Sequence, residues 1–418
     1  MLKTYLKNYQ NFPKEIWILV LMTFINRAGT MVIPFLSKYL SESLHFNFNQ
    51  IGWILVFFGL GSIIGTWLSG KLSDIIGFYK VMVISLFATG FIFFALQFIT
   101  SFVGFCIGIF ILTSIADMFR PAMLVSLSTY TRKENSTRAL TLVRSAVNLG
   151  FLFGPAIGGL IIMNSGYSQL FYIDGATCIL GVIVFILFVK ERKLPYKLIK
   201  HNIVKDNQAI VKDKPFMVHL IITTISGILF FQIFTVLPLY EKFQFNLSDF
   251  NCGLLLGING IVILLFELPI VNYVEKNKLS KFKVIMVGLF FMVLSFVMLL
   301  LVKTTPLILV FMMISMSLGV MLTFPFASFF ATTRSHANQE GKYMSIFTMS
   351  YSFAHILGAK TSLNIIHYNS YDSNWIFMIS IGVLGILLAF WLKNVIGKEN
   401  EERDSKISHT IFIKNQTV

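Results

Sequence analysis

Charge is what this chain has least of. Only 13% of its 418 residues are Asp, Glu, Lys or Arg, against about 25% in an average soluble domain. With 56% of the residues hydrophobic, too little polar surface remains to clothe a water-soluble core. Cysteine is nearly absent. Cys106, Cys178 and Cys252 stand singly in or beside apolar stretches, which excludes paired metal-binding and redox spacings and reads as packing. Neither a G-x-x-x-x-G-K-[ST] phosphate loop nor an H-E-x-x-H motif occurs, so ATP-driven work and zinc proteolysis are excluded. No metal, no cofactor and no enzymatic activity are expected.

What is present is a succession of long apolar runs. Residues 81–102 and 284–302 are uncharged and reach the roughly 20 residues that cross a hydrocarbon core about 30 Å thick. Polar punctuation predicts helices over 15–40, 50–70, 79–99, 102–128, 139–163 and 168–189. A second set follows over 216–240, 249–272, 282–302, 306–331, 342–366 and 375–396. The fold class is therefore an all-α membrane protein of twelve transmembrane helices in two six-helix groups. Its parts are an N-terminal bundle over 1–189, a linker over 190–215, a C-terminal bundle over 216–396 and a tail over 397–418.

The net charge of +15 would suit nucleic acid if it were gathered in one patch, but it is distributed. Lys and Arg fall in every second inter-helix segment: at Lys3, Lys7 and Lys14, at Lys71 and Lys80, at Arg132, Lys133 and Arg138, through 190–214, through 276–283, and at Arg334 and Lys342. The intervening segments are nearly free of them, with Lys242 and Lys303 as exceptions. By the positive-inside rule both termini and the linker face the cytoplasm, and a plasma (inner) membrane location is expected, with no nucleic-acid partner. Lysines precede the first apolar run as in a secretory signal, but no small-residue cleavage site follows, so the run reads as a retained span. Ala209→Cys, in the linker, should react with a membrane-impermeant thiol reagent only from the cytoplasmic side; labelling only from outside would overturn the topology.

The halves match when one is slid over the other. Pro34 and Pro238 are 204 apart (238 − 34), as are Pro121 and Pro325 (325 − 121) and Gly154 and Gly358 (358 − 154). Around the first pair, Val32-Ile33-Pro34 matches Val236-Leu237-Pro238. One offset serving three helix pairs indicates two parallel repeats about a membrane-normal axis.

Three segments carry a family resemblance. Gly70-Lys71-Leu72-Ser73-Asp74, followed by Gly77 and Lys80, resembles motif A of the major facilitator superfamily, with Ile75 where a basic residue usually follows the aspartate. Asn148-Leu149-Gly150, followed by Gly154-Pro155 and Gly158-Gly159, resembles motif C of its drug:proton antiporters and also a pattern in proton-dependent peptide symporters. Glycines four apart let another backbone approach, and proline bends the helix. Gly70, Asp74, Gly77, Lys80, Gly150, Gly154, Pro155 and Gly158 are the expected gating residues. The first helix, Phe24 to Phe35 with Asn26 and Arg27, is similar to that of bacterial efflux-type facilitators. Peptide symporters carry two glutamates where Thr23 and Asn26 stand here. The resemblance spans about residues 16–393.

A charge at a helix centre costs roughly 2.5 to 3.5 kcal/mol on insertion scales, so it should face protein or water. Arg27 lies mid-span, and Asp117 and Arg120 are one turn apart in the fourth span. The resemblance puts them on facing walls of a central cavity, where proton, arginine and substrate compete for Asp117; a structural clamp between Asp117 and Arg120 is the other reading. Arg144 reads as a gate or structural partner, and Asp174 as structural. In the second half Glu267 and His355 are candidates, His355 for its pKa near 6.5, with Gln232 and Asn259 as neutral hydrogen-bonding groups. The resulting expectation is proton-coupled export of small amphipathic molecules by a monomer. The alternatives are proton-coupled uptake of a peptide, siderophore or similar nutrient, and a non-transporting receptor that kept the fold.

Overall fold

The computed structural model describes residues 12–131, 136–191, 210, 212–334 and 340–416. Among them the N-terminal half forms α1 (Lys14–Ala28), α2 (Val32–Glu42), α3 (Phe48–Ile76), α4 (Phe78–Leu96), α5 (Phe102–Ala116), α6 (Phe119–Tyr130), α7 (Ser136–Ser165) and α8 (Ser168–Phe188). The C-terminal half forms α9 (Lys214–Thr235), α10 (Leu237–Phe245), α11 (Asp249–Lys276), α12 (Lys281–Leu301), α13 (Leu307–Arg334), α14 (Glu340–Tyr368) and α15 (Tyr371–Gln416).

These fifteen helices make twelve spans, because α1 with α2, α5 with α6, and α9 with α10 each form one span with a break inside it. Eleven spans are both long and apolar enough to cross a bilayer. The twelfth, α14, is as long but more polar, and it packs between α3 and α9.

The breaks follow from backbone chemistry. Pro121 has no N–H to offer the Asp117 carbonyl, and Pro238 none for Phe234, so the helix ladder fails four residues before each proline. Asp117 and Val236 sit at those two breaks. In the first span the backbone N–H groups of Met31 and Val32 are freed, and the buried Asp174 of α8 accepts them at 2.8–3.0 Å. Unpaired donors at a helix start are satisfied here by a carboxylate from a neighbouring span. Asp174 therefore has the structural role expected of it.

The two repeats reuse one packing plan. Helix α7 lies along α1 within the first bundle and crosses to α11 of the second; α14 lies along α9 and crosses to α3. One feature departs from the sequence expectation. The last helix does not stop near 396 but continues to Gln416, because no proline follows Gly397 to interrupt it. Glu399 on this extension meets Arg334 at 2.5 Å, and Arg334 in turn holds Asp213, the cap of α9, at 2.9 Å.

Contacts between the bundles start at the far-side loops and run inward along α7 and α11 and along α3 and α14. With twelve spans both termini lie on one side, and the loops at 43–47, 166–167 and 246–248 mark the far side. On the far side, backbone at Gly159 meets Asp249 and Phe250, and Gly253 meets Pro155. Phe48 meets Phe243 edge-on, with ring centroids 6.2 Å apart. The series continues inward with Phe151 against Phe234 at 6.2 Å and reaches Asn148 on Glu267 at 3.5 Å, in the termini-side half of α11.

Candidate functional site

The mid-depth charges collect at the helix breaks. Arg27, near the end of α1, is half-buried, lies 6.0 Å from the Phe151 ring centroid and is within electrostatic reach of both Asp117 and Arg120. Asp117 occupies the break between α5 and α6; Arg120 begins the next helix and is exposed. The spacing of one turn does not make them a clamp, because the break replaces the continuous helix on which that geometry depends. Among the described residues no ion pair joins Arg27, Asp117 or Arg120 to any partner. Two guanidinium groups and one carboxylate thus share one region, beside the Phe151–Phe234 contact between the bundles.

The other expected site residues divide. Asn26 donates to the Cys178 sulfur at 3.5 Å, within the first bundle. Gln232 is buried and donates to its own helix at Ile228, 3.2 Å. Asn259 donates to Ser317 at 2.8 Å inside the second bundle. His355 is buried and stacks on Phe58 of the opposite bundle, centroids 4.6 Å apart, with Phe231 edge-on at 5.1 Å. Its surroundings are those of an aromatic packing contact between bundles. Glu267 faces Asn148 across the bundle interface. The side chains of Asp74 and Arg144 lie outside the described residues.

Gly150, Gly154 and Gly158 of the motif C segment pack inside their own bundle. Gly150 faces Arg27 and Ala28, and Gly158 faces Met31 and Phe35. A side chain at Gly154 would meet the Ala28 carbonyl oxygen at 3.0 Å. Leu152, Pro155 and Gly159, on the adjoining face, meet the second bundle. Helix α7 thus couples the break in the first span to the surface on which the bundles contact. Gly154→Leu should push α7 off α1, an overpacking worth about 1–3 kcal/mol, and abolish turnover while leaving membrane insertion intact. Unchanged transport by the variant in proteoliposomes would show that this packing is not used. In the motif A segment Gly77 has φ +90°, a conformation L side chains avoid, and it forms the tight turn from α3 to α4. Lys80 is exposed just beyond it, and Gly70 has open space around its Cα.

The strongest charge cluster is one the sequence reading did not single out. Lys38 of α2 is fully buried and forms an ion pair with Asp249 of α11, its nitrogen 3.9 Å from the Cys252 sulfur. Tyr167 donates to Glu42 at 2.7 Å and lies 3.2 Å from Asp249. Lys242 approaches Glu42 at 3.9 Å. Glu241 of α10 is buried within electrostatic reach of Lys38. Nearby, Lys360 of α14 bonds Asn49 and lies 4.5 Å from the Trp53 ring centroid. The far side is therefore closed by charges contributed from both bundles.

Residues 18–359 match the sequence pattern of the Major Facilitator Superfamily. The chain belongs to that superfamily. Its members are transporters and not enzymes, and this facilitator is accordingly a multi-pass membrane transporter of small molecules. It is 25% identical over 360 residues to the uncharacterized MFS-type transporter YttB of Bacillus subtilis (strain 168), covering 83% of this chain and 87% of that one. It is 21% identical to multidrug resistance protein 2 of the same organism, over 67% of this chain and 71% of that one. Among solved structures it is similar in fold to a POT family transporter in complex with a thioalcohol-conjugated peptide. That likeness has a TM-score of 0.77 and 14% identity, covering 92% of this chain and 96% of the other.

Proposed function

We propose that this facilitator is a proton-coupled exporter of small amphipathic molecules, acting as a monomer in the plasma (inner) membrane by alternating access. The observation that carries the reading is the grouping of Arg27, Asp117 and Arg120 at the helix breaks, beneath a far side closed by the Lys38–Asp249 cluster. With both termini cytoplasmic, the closed far side is the outer one. Rocking the bundles about α7 and α11 would break the Lys38–Asp249 pair and expose the mid-depth charges to the outside. Export is supported by the likeness to a multidrug resistance protein and by the motif C segment, and amphipathic cargo by the 44 Phe and 18 Met, adaptable apolar surfaces.

Uptake of a peptide-like nutrient is the second reading, favoured by Arg27 and by Phe119-Arg120-Pro121. Local bonding counts against it. Where peptide symporters carry glutamates, Thr23 bonds its own helix at Leu19 and Asn26 is held by Cys178. The two readings separate in proteoliposomes holding a fluorescent amphipathic cation and a dipeptide under an imposed pH gradient. Proton-driven movement of the cation against its gradient supports export. Proton-driven movement of the dipeptide alone overturns it.

A further inference from the structure

We propose that the lipid-facing groove between α12 and α15, on the termini side, binds an anionic phospholipid. The inference rests only on membrane embedding and not on the transport reading. Two adjoining cavities lie there, about 380 Å³ and about 330 Å³, and Lys393 lines both. The first also has Lys283 at its rim, the second Lys281. Lys281 lies over the face of Phe329, 2.9 Å from the ring centroid, and feels Glu275. Lys283 and Lys393 come from different helices and have no acidic partner among the described residues.

The apolar lining explains why the ligand is a lipid and not a free anion. From Lys283 the face of α12 continues through Met286 and Val287 to Phe290, at steps of three, four and seven residues. That track runs roughly 10 Å toward the membrane centre. On α15, which runs the opposite way, Phe390 sits one turn deeper than Lys393. Val287, Phe290 and Phe390 are about half exposed (47%, 54% and 53%), so the track is open along its length. Helices α12 and α15 pack on each other and on α9, α13 and α14 of their own bundle, and the exposed apolar track sets the groove against the bilayer. A basic rim at the headgroup level above an apolar track matches a phosphate headgroup with its acyl chain, and basic pockets between spans are recognised sites for acidic lipids.

The test uses the full-length protein in nanodiscs of equal phosphatidylglycerol and phosphatidylcholine, released into detergent and weighed by native mass spectrometry. The wild type should retain phosphatidylglycerol in preference to phosphatidylcholine. Each lysine near the surface contributes enough that Lys283→Gln/Lys393→Gln should lower that preference roughly tenfold. Lys14→Gln/Lys190→Gln, which removes two exposed lysines elsewhere on the same side, should leave it unchanged. The site is wrong if the wild type shows no preference, if the α12/α15 variant keeps it, or if the distant pair lowers it equally. Thermal unfolding of each variant checks that the comparison is between folded proteins.

Discussion

Lys38→Ala should open the far side of this transporter. Lys38 is the one fully buried cation of the cluster, and removing it leaves the buried Glu241 and the partly buried Asp249 without their shared cation. Breaking a buried pair by deleting one partner typically costs about 3–5 kcal/mol, and the closed arrangement alone bears that cost, since an open far side returns the carboxylates to water. Each 1.4 kcal/mol is roughly a factor of ten in a two-state ratio, so a protein resting with its far side closed should shift strongly toward open. Cys252 is a built-in reporter: it is fully buried beside Lys38. In a Cys106→Ser/Cys178→Ser background, an impermeant maleimide added on the far side should label Cys252 slowly, and at least about tenfold faster once Lys38 is alanine. Asp249→Asn should have a smaller effect, because Glu241 and Glu42 still surround the lysine. Equal labelling rates in all three proteins would mean the cluster is packing and not a gate.

The far-side cluster also shows how the sequence can mislead. Long uncharged runs made the spans readable, because a bilayer sets one length for all of them, and the repeat was readable because proline and glycine stand where backbone geometry demands them. The expected spans and the 204-residue offset rest on those local constraints. Lys38 was passed over because it lies within four residues of a span end, where a lysine reads as snorkelling to the surface. A signal was nevertheless present. Lys38 and Lys242 are themselves 204 apart (242 − 38), both on the side where lysines are rare, and each meets an acid supplied by the other bundle, Asp249 and Glu42.

The pairing of Asp117 with Arg120 failed for the opposite reason. Spacing of three residues implies one helix face only while the helix is continuous, and Pro121 ends that continuity at Asp117. The same chemistry explains why the break of the first span was harder to read: its freed N–H groups are satisfied by Asp174, 143 residues away in sequence. His355 likewise looked like a proton switch by residue type, yet three-dimensional packing surrounds it with Phe58 and Phe231. No local pattern encodes which aromatic rings another span will bring.

Asp117→Asn should uncouple transport from the proton. Asp117 is a partly exposed carboxylate at a helix break, close to two guanidinium groups, with no ion-pair partner among the described residues. A carboxylate beside two guanidinium groups at a helix break stands where movement of the bundles changes its surroundings. Asparagine keeps the shape of the protonated side chain and cannot titrate. With one proton per substrate, one pH unit sustains roughly a tenfold substrate gradient. The wild type in proteoliposomes should approach that ratio and the variant should sustain none. Exchange of labelled for unlabelled substrate should survive, since it requires the bundles to reorient without requiring a proton to be carried. If the variant still built the full gradient, Asp117 would not be the coupling residue, and Glu241 and Glu267, two of the carboxylates at the bundle interface, would be next to replace. Loss of exchange together with accumulation would assign Asp117 instead to the movement of the break itself.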